Sequence, residues 1–225
     1  MNVLLALDCS ELAYKNHEKK FYNLNCVFVQ NLDSDAQAYV IYDEDCTIVS
    51  FRGTSSMQDV FSDLNAFSIA IDNKSARIHA GFLEQYQSLE ADILRLLDKD
   101  SSIVTTGHSL GGAMAQIAAF QLQQKGFKTA TVHFGSPRVG NKAFAELMAK
   151  KVPGNLAVVH TLDPVPQFPS FWGWWKHPST KRLEIDKNNM IENFVDKNSF
   201  HFQFWKPAEP HTLKSYKNLL TIQKV

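Results

Sequence analysis

Residues 104–116 read "VTTGHSLGGAMAQ", with Gly107-His108-Ser109-Leu110-Gly111 at the centre. A short run rich in β-branched residues (103–106) enters this stretch, and an alanine-rich run (110–125) closed by Gly126 leaves it. The order is therefore strand, Gly-x-Ser-x-Gly, helix, the context in which that pattern acquires a meaning beyond a soft turn. A serine at so sharp a corner takes a strained backbone conformation. Side chains two residues to either side would collide, which explains glycine at both places. The hydroxyl of Ser109 then projects clear of the sheet. The helix beginning at Leu110 aims its first N–H groups at the same point, where they would meet a developing negative charge. Ser109 is the candidate nucleophile.

Outward from this corner, elements alternate. Residues 26–30, 37–42 and 47–51 read as strands, being short, β-branched or aromatic, and parted by turns containing Asp or Asn. Residues 82–97 place Phe82, Tyr86, Leu89, Ile93 and Leu96 at helical spacing. Strands are expected at 129–134, 156–161 and, more weakly, 182–186, with helices near 141–151 and 212–220. Alternation through the second half predicts an α/β fold, a mostly parallel sheet with helices on both faces. The closely spaced early strands predict an antiparallel portion at its N-terminal side. No repeat, low-complexity tract or linker divides the chain, so residues 1–225 read as a single domain.

A nucleophilic serine needs a base, and the base needs an acid to orient it. Strand–turn–helix serines meet these partners in the order Ser, acid, His. Asp163, in "VVHTLDPVPQFP" just past the strand at 156–161, is the clearest acid, and Pro164 and Pro166 stiffen its loop. Five histidines follow the serine. His133 and His160 lie inside expected strands and read as packed there. His177, His201 and His211 remain, with His211 favoured because it sits on a loop directly before the last helix.

Composition excludes other classes. Lys plus Arg and Asp plus Glu both number 23, so the formal net charge is zero and the footprint of a nucleic-acid binder is missing. Hydrophobic residues at 44% and charged residues at 20% indicate a globular chain. Cys9, Cys26 and Cys46 have no metal-ligand spacing and read as buried, reduced thiols. The apolar stretch of residues 3–7 is too short for a signal h-region and runs straight into Asp8. Together with the lack of a spanning segment, this predicts a cytoplasmic protein with at most peripheral membrane contact. Nothing calls for a metal or an organic cofactor.

Several blocks resemble one family: "VSFRGTSSMQDVFSDL" at 49–64, "IHAGF" at 78–82, "VTTGHSLGGAMA" at 104–115, "HFGSPRVGN" at 133–141 and "HTLDPVPQFP" at 160–169. More weakly, "WKHPSTKRLEI" at 175–185 and "PHTLKSYKNLL" at 210–220 join them in the same order. Together they resemble the class 3 (fungal-type) lipases, a branch of the α/β-hydrolase fold. The resemblance implies Ser109 as nucleophile, Asp163 as orienting acid and His211 as general base. It also implies that the backbone N–H groups of Thr54 and Leu110 form the oxyanion hole, and it assigns His177 to a structural block.

The resemblance further implies a lid at about residues 55–67. Met57, Val60, Phe61 and Leu64 lie at amphipathic helical spacing there, although Val60 stands where the family frequently has tryptophan. Trp172, Trp174 and Trp175 form a cluster after the acid loop, suited to an acyl-binding wall, a lipid interface or simple packing. The expectation is an acylglycerol lipase-like ester hydrolase with a lipid or ester substrate, no nucleic-acid partner and transient contact with a lipid interface. A phospholipase or soluble carboxylesterase of the same fold is the nearest alternative. A catalytically silent lipid- or protein-binding module is the alternative of another class. The sequence carries no signal for oligomeric state.

Overall fold

Alternate residues of the middle strands face opposite sides of one sheet, and helices cover both sides. The structure, a computed structural model, describes residues 2–54, 68–71, 75–169, 175–176, 181–186, 190–193 and 209–222. Its strands are β1 (Lys20–Phe21), β2 (Leu24–Gln30), β3 (Gln37–Tyr42), β4 (Thr47–Phe51), β5 (Ser68–Ala70), β6 (Arg77–His79) and β7 (Ser102–His108). They continue with β8 (Lys128–Phe134), β9 (Gly140–Asn141), β10 (Asn155–His160), β11 (Trp175–Lys176), β12 (Lys181–Ile185) and β13 (Met190–Asn193). The helices are α1 (Val3–Leu12), α2 (Ala80–Leu96), α3 (Leu110–Gln124), α4 (Lys142–Lys151) and α5 (Leu213–Ile222).

Among the described residues the main sheet runs β1-β2-β3-β4-β7-β8-β10-β12-β13. Its heart, β4-β7-β8-β10-β12, is parallel throughout, and antiparallel strands extend it on either side. Both the parallel centre and the antiparallel N-terminal portion expected from the spacing are present. A small second sheet, β11-β9-β6-β5, was not anticipated; strands of two or three residues are too short to show a period.

Burial follows the pleat. Val49, Phe51 and Ile103 pack with Phe82, Tyr86, Leu89, Ile117 and Phe120 of α2 and α3 on one face. Ile48 and Val104 turn to the other face, toward Cys9 and Leu12 of α1. Further along that second face, α1 and α5 close over Val132, Phe134, Val158 and Ile185. Helix α1 is the element the sequence hid. It is capped by Asn2, whose side chain accepts from the Leu4 N–H, and buries Ala6, Leu7, Cys9, Ser10 and Leu12. Ten residues apolar on most sides show no stripe, so the segment read only as a failed signal sequence.

Cys9, Cys26 and Cys46 are free and buried in the core cluster beside α1. Burial pushes the Cys9 thiol up to about 12, which keeps it from acting as a nucleophile near neutrality.

Packing leaves no room for a side chain at the corner between β7 and α3. A Cβ on Gly107 would come within 2.4 Å of the Gly111 carbonyl, and one on Gly111 within 2.2 Å of the Phe51 carbonyl oxygen. Both obstacles are backbone and cannot swing away. Gly111→Ala should therefore lose about 3 kcal/mol of unfolding free energy, the upper end of overpacking costs. Urea denaturation measures it, and a loss under about 0.5 kcal/mol, the ordinary surface level, would contradict this packing.

Candidate active site

Parallel strands end together, so β4, β7, β8 and β10 deliver their C-terminal loops to one edge of the sheet. Ser109 stands there at φ 58°, ψ −126°, a left-handed conformation costly for any residue with a side chain. Its N–H donates to the Phe134 carbonyl at 3.0 Å, and its carbonyl accepts from the Gly112 and Ala113 N–H groups. The corner is thus fixed from both sides. Ser109 occupies the N-cap of α3, yet its hydroxyl makes no capping bond, although serine is among the preferred caps.

Leu110 opens α3, where the first N–H groups have no acceptor within the helix. Thr54 follows β4 on the neighbouring loop. A Cβ on Gly53 would lie 3.4 Å from Ser109 Cβ and 2.5 Å from the His108 carbonyl oxygen, so the Thr54 loop passes directly beside the serine corner. Thr54 and Leu110 also line one cleft together.

Asp163 sits just past β10 and is 1% exposed. Its carboxylate is gripped by three donors: the Val165 N–H on Oδ1 at 2.9 Å, and His211 Nδ1 and the Tyr216 hydroxyl on Oδ2, each at 2.7 Å. His211, in a 3-10 turn (Glu209–His211) before α5, is buried, and its Nε2 makes no hydrogen bond among the described residues. Gly135, at φ 54°, makes room for all of this. A Cβ there would meet Asp163 Oδ2 at 2.7 Å, the Tyr216 hydroxyl at 2.9 Å and His211 Cε1 at 3.2 Å. His211, among the histidines left open by the residues alone, is brought to Asp163. His177 and His201 lie outside the described residues, as do Met57, Val60, Phe61, Leu64, Trp172 and Trp174, and of Trp175 only the backbone is described.

Two tyrosines support the site and had no signal in the sequence. Besides binding Asp163, the Tyr216 hydroxyl accepts the His160 N–H at 3.1 Å. Burial first, then the nearby Asp163 charge, holds its phenol well above the ordinary tyrosine range, so it remains a donor. The Tyr14 hydroxyl lies 3.2 Å from His108 Nδ1 and also engages the Gly53 backbone. It thereby ties the residue before Thr54 to the residue before Ser109. Burial raises Tyr14 to about 12. The His108 ring packs 4.5 Å from that of His211, and burial followed by the proximity of His211 drives its pKa well below the usual value. His108 is therefore neutral at physiological pH and adds no charge against a protonated His211.

His133 and His160 are buried in β8 and β10, as their strand positions suggested. Burial lowers His133 to about 3, against a partly offsetting hydrogen bond to the Asn155 side chain. The unfolded chain would bind a proton near pH 6.5 and the folded chain only near pH 3. Stability is thus complete above pH 6.5 and falls by up to about 1.4 kcal/mol per pH unit below it, for this histidine alone. Urea midpoints from pH 7.5 to 4 should show the decline, with His133→Gln flattening it; an identical slope in the variant would assign the decline to other groups.

The family model for lipase (class 3) matches residues 48–172, more than half of the chain. The chain belongs to the class 3 lipase family. A secreted mono- and diacylglycerol lipase 1 of Fusarium solani is 33% identical over 139 residues, covering 59% of this chain and 42% of that protein. A lipase of Rhizopus niveus is 34% identical over 167 residues, covering 67% of this chain and 42% of that protein. This class 3 family member thus spans less than half the length of these relatives. Among solved structures, a triacylglycerol lipase whose catalytic centre is described as a serine protease triad superposes with TM-score 0.71 at 25% identity. The match covers 84% of this chain and 80% of that one. The fold is that of the α/β-hydrolases.

The comparison corrects one expectation. A cytoplasmic location was inferred from the short apolar stretch at residues 3–7, but the Fusarium relative is named as secreted, which overturns it. The physical reason lies in the fold, where that stretch belongs to α1 and is buried against the sheet, so it carries no information on address. No helix among the described residues is long and apolar enough to cross a membrane.

Proposed function

We propose that the chain forms one hydrolase domain that cleaves carboxylic esters of lipids through Ser109, His211 and Asp163. The observation that carries this reading is the buried 2.7 Å bond between His211 Nδ1 and Asp163 Oδ2 at the sheet edge that holds the strained Ser109 corner. Asp163 fixes the ring with its proton on Nδ1, leaving Nε2 to accept the serine proton. Catalytic hydrogen bonds often close only when substrate is present, which accords with Nε2 having no partner among the described residues.

Ser109 Oγ attacks the ester carbonyl as His211 Nε2 takes its proton. The N–H groups of Thr54 and Leu110 receive the oxyanion, each contributing about 3–4 kcal/mol if they act like donors in comparable hydrolases. His211 then protonates the departing alcohol oxygen. Water, deprotonated in turn by His211, releases the carboxylic acid from the acyl-enzyme. The lipid nature of the substrate rests on relatives named as acylglycerol lipases. A fluorophosphonate probe tests the chemistry: it should label folded protein stoichiometrically at Ser109. Folded protein that stays unlabelled would overturn the enzyme reading and favour a silent binding module.

A further inference from the structure

The two oxyanion donors differ in what aims them. Leu110 is the first residue of α3, and the helix sets the direction of its N–H. Thr54 lies beyond β4, whose last ladder pairs join Phe51 to Ala38 on one side and to Gly107 on the other. The ladder therefore stops short of Thr54. A donor of this kind helps only when it already points at the place the oxyanion will occupy. The Thr54 N–H lies in the peptide plane shared with Gly53, so ψ at Gly53 decides where it points. Glycine restrains ψ less than any other residue. A Cβ cannot supply the restraint here, because it would collide with the Tyr14 hydroxyl and the His108 carbonyl oxygen.

Two side chains from other elements hold the residues before Thr54. Gln37, at the start of β3 and 3% exposed, takes Arg52 twice. Its carbonyl accepts the Arg52 N–H at 3.0 Å, and its Oε1 accepts from Arg52 Nη1. Its Nε2 donates to Asp35 Oδ1 at 3.4 Å, so a cation and a carboxylate fix which way the amide faces. The turn carrying Asp35 is itself tied to α2. Gln85 Nε2 donates to the Ser34 carbonyl at 3.1 Å, and Ser34 Oγ meets Ser88 Oγ at 2.7 Å. Tyr14, just past α1, takes the next residue, its hydroxyl engaging the Gly53 backbone. That contact works against the upward push of burial on the phenol, as an N–H donating to its oxygen does. The same hydroxyl meets His108 Nδ1 at 3.2 Å, so it spans from the Thr54 loop to the serine corner.

We propose that Gln37 and Tyr14 form a two-sided clamp on the Thr54 loop, positioning residues that set the first oxyanion donor against Ser109. The inference rests on the ester-hydrolase reading of Ser109 and adds to it what orients the hole. Gln37 fixes Arg52 on both backbone and side chain, and Tyr14 fixes Gly53, the pivot of the Thr54 N–H. Catalytic geometry tolerates only about 0.5 Å of error, so a loop freed at either point would lose aim without unfolding.

The test compares 4-nitrophenyl butyrate with 4-nitrophenyl thionobutyrate, in which sulfur replaces the carbonyl oxygen. Sulfur is the larger atom and the weaker acceptor, so the hole contributes little to attack on the thionoester. Rates are counted per Ser109 labelled by a fluorophosphonate, which removes misfolded protein from the comparison. Tyr14→Phe and Gln37→Leu should each lower kcat/KM for the oxygen ester about tenfold, the loss of a misaimed transition-state contact. The thionoester should lose less than about twofold in either variant, because it never drew on the donor. Gln37→Glu keeps an acceptor for Arg52 and should stay within about threefold of wild type on both esters. Equal losses on the two esters, wild-type rates in both variants, or Gln37→Glu as damaged as Gln37→Leu would overturn the clamp. Failure of the underlying reading looks different: wild type would hydrolyse neither ester and would take up no fluorophosphonate.

Discussion

Ser109→Ala is expected to lower kcat/KM on a soluble butyrate ester by about 10⁵- to 10⁶-fold while leaving the fold intact. The size follows from the role: alanine carries no oxygen with which to attack the ester carbonyl. What survives is the modest rate gain from the oxyanion donors and binding. Stability should change by less than about 0.5 kcal/mol. Alanine inherits the same strain at φ 58°, and the serine hydroxyl makes no capping bond whose loss would shorten α3. Activity and urea midpoint are measured on the same preparation. Retention of more than about 1% of wild-type kcat by well-folded variant would remove Ser109 from the mechanism. The hydroxyl that leaves α3 uncapped thus gives the clearest separation between a structural and a chemical serine.

What the residues disclosed divides by distance along the chain. The strand, corner and helix around Ser109 were legible because their causes are local: β-branching, two close glycines and an alanine-rich run ended by Gly126. Asp163 was legible from its place after a strand and before Pro164. His211 stood among three histidines on residues alone, and Thr54 emerged only through the family resemblance. Tyr14 and Tyr216 were not legible at all. Their partners lie 94 positions away, at His108, and 53 positions away, at Asp163, and no periodicity records such a contact. Sequence also could not show that α1 and α5 share one face of the sheet. There Lys217 bridges to Asp8 and Glu11, steadying the helix that follows His211.

Asp163→Asn should reduce kcat about 10⁴-fold with little change in fold, the effect expected when an orienting acid becomes an amide. The argument is a count of donors. The carboxylate accepts from the Val165 N–H, His211 Nδ1 and the Tyr216 hydroxyl, and all three partners are satisfied only by an acceptor at both oxygens. An asparagine has one acceptor and one donor. If its oxygen faces His211 and Tyr216, its NH₂ confronts the Val165 N–H. If it flips, the NH₂ faces His211 and stabilises the tautomer with the proton on Nε2, which cannot accept a proton from Ser109. Either orientation also loses the negative charge that steadies the imidazolium during attack. Because Asp163 is 1% exposed, water cannot repair the mismatch. The decisive comparison is single-turnover acylation by a chromogenic butyrate in wild type and variant at pH 7.5. A loss smaller than tenfold would mean that His211 holds its tautomer without Asp163. It would point instead to the packing of its ring against His108 as the orienting contact.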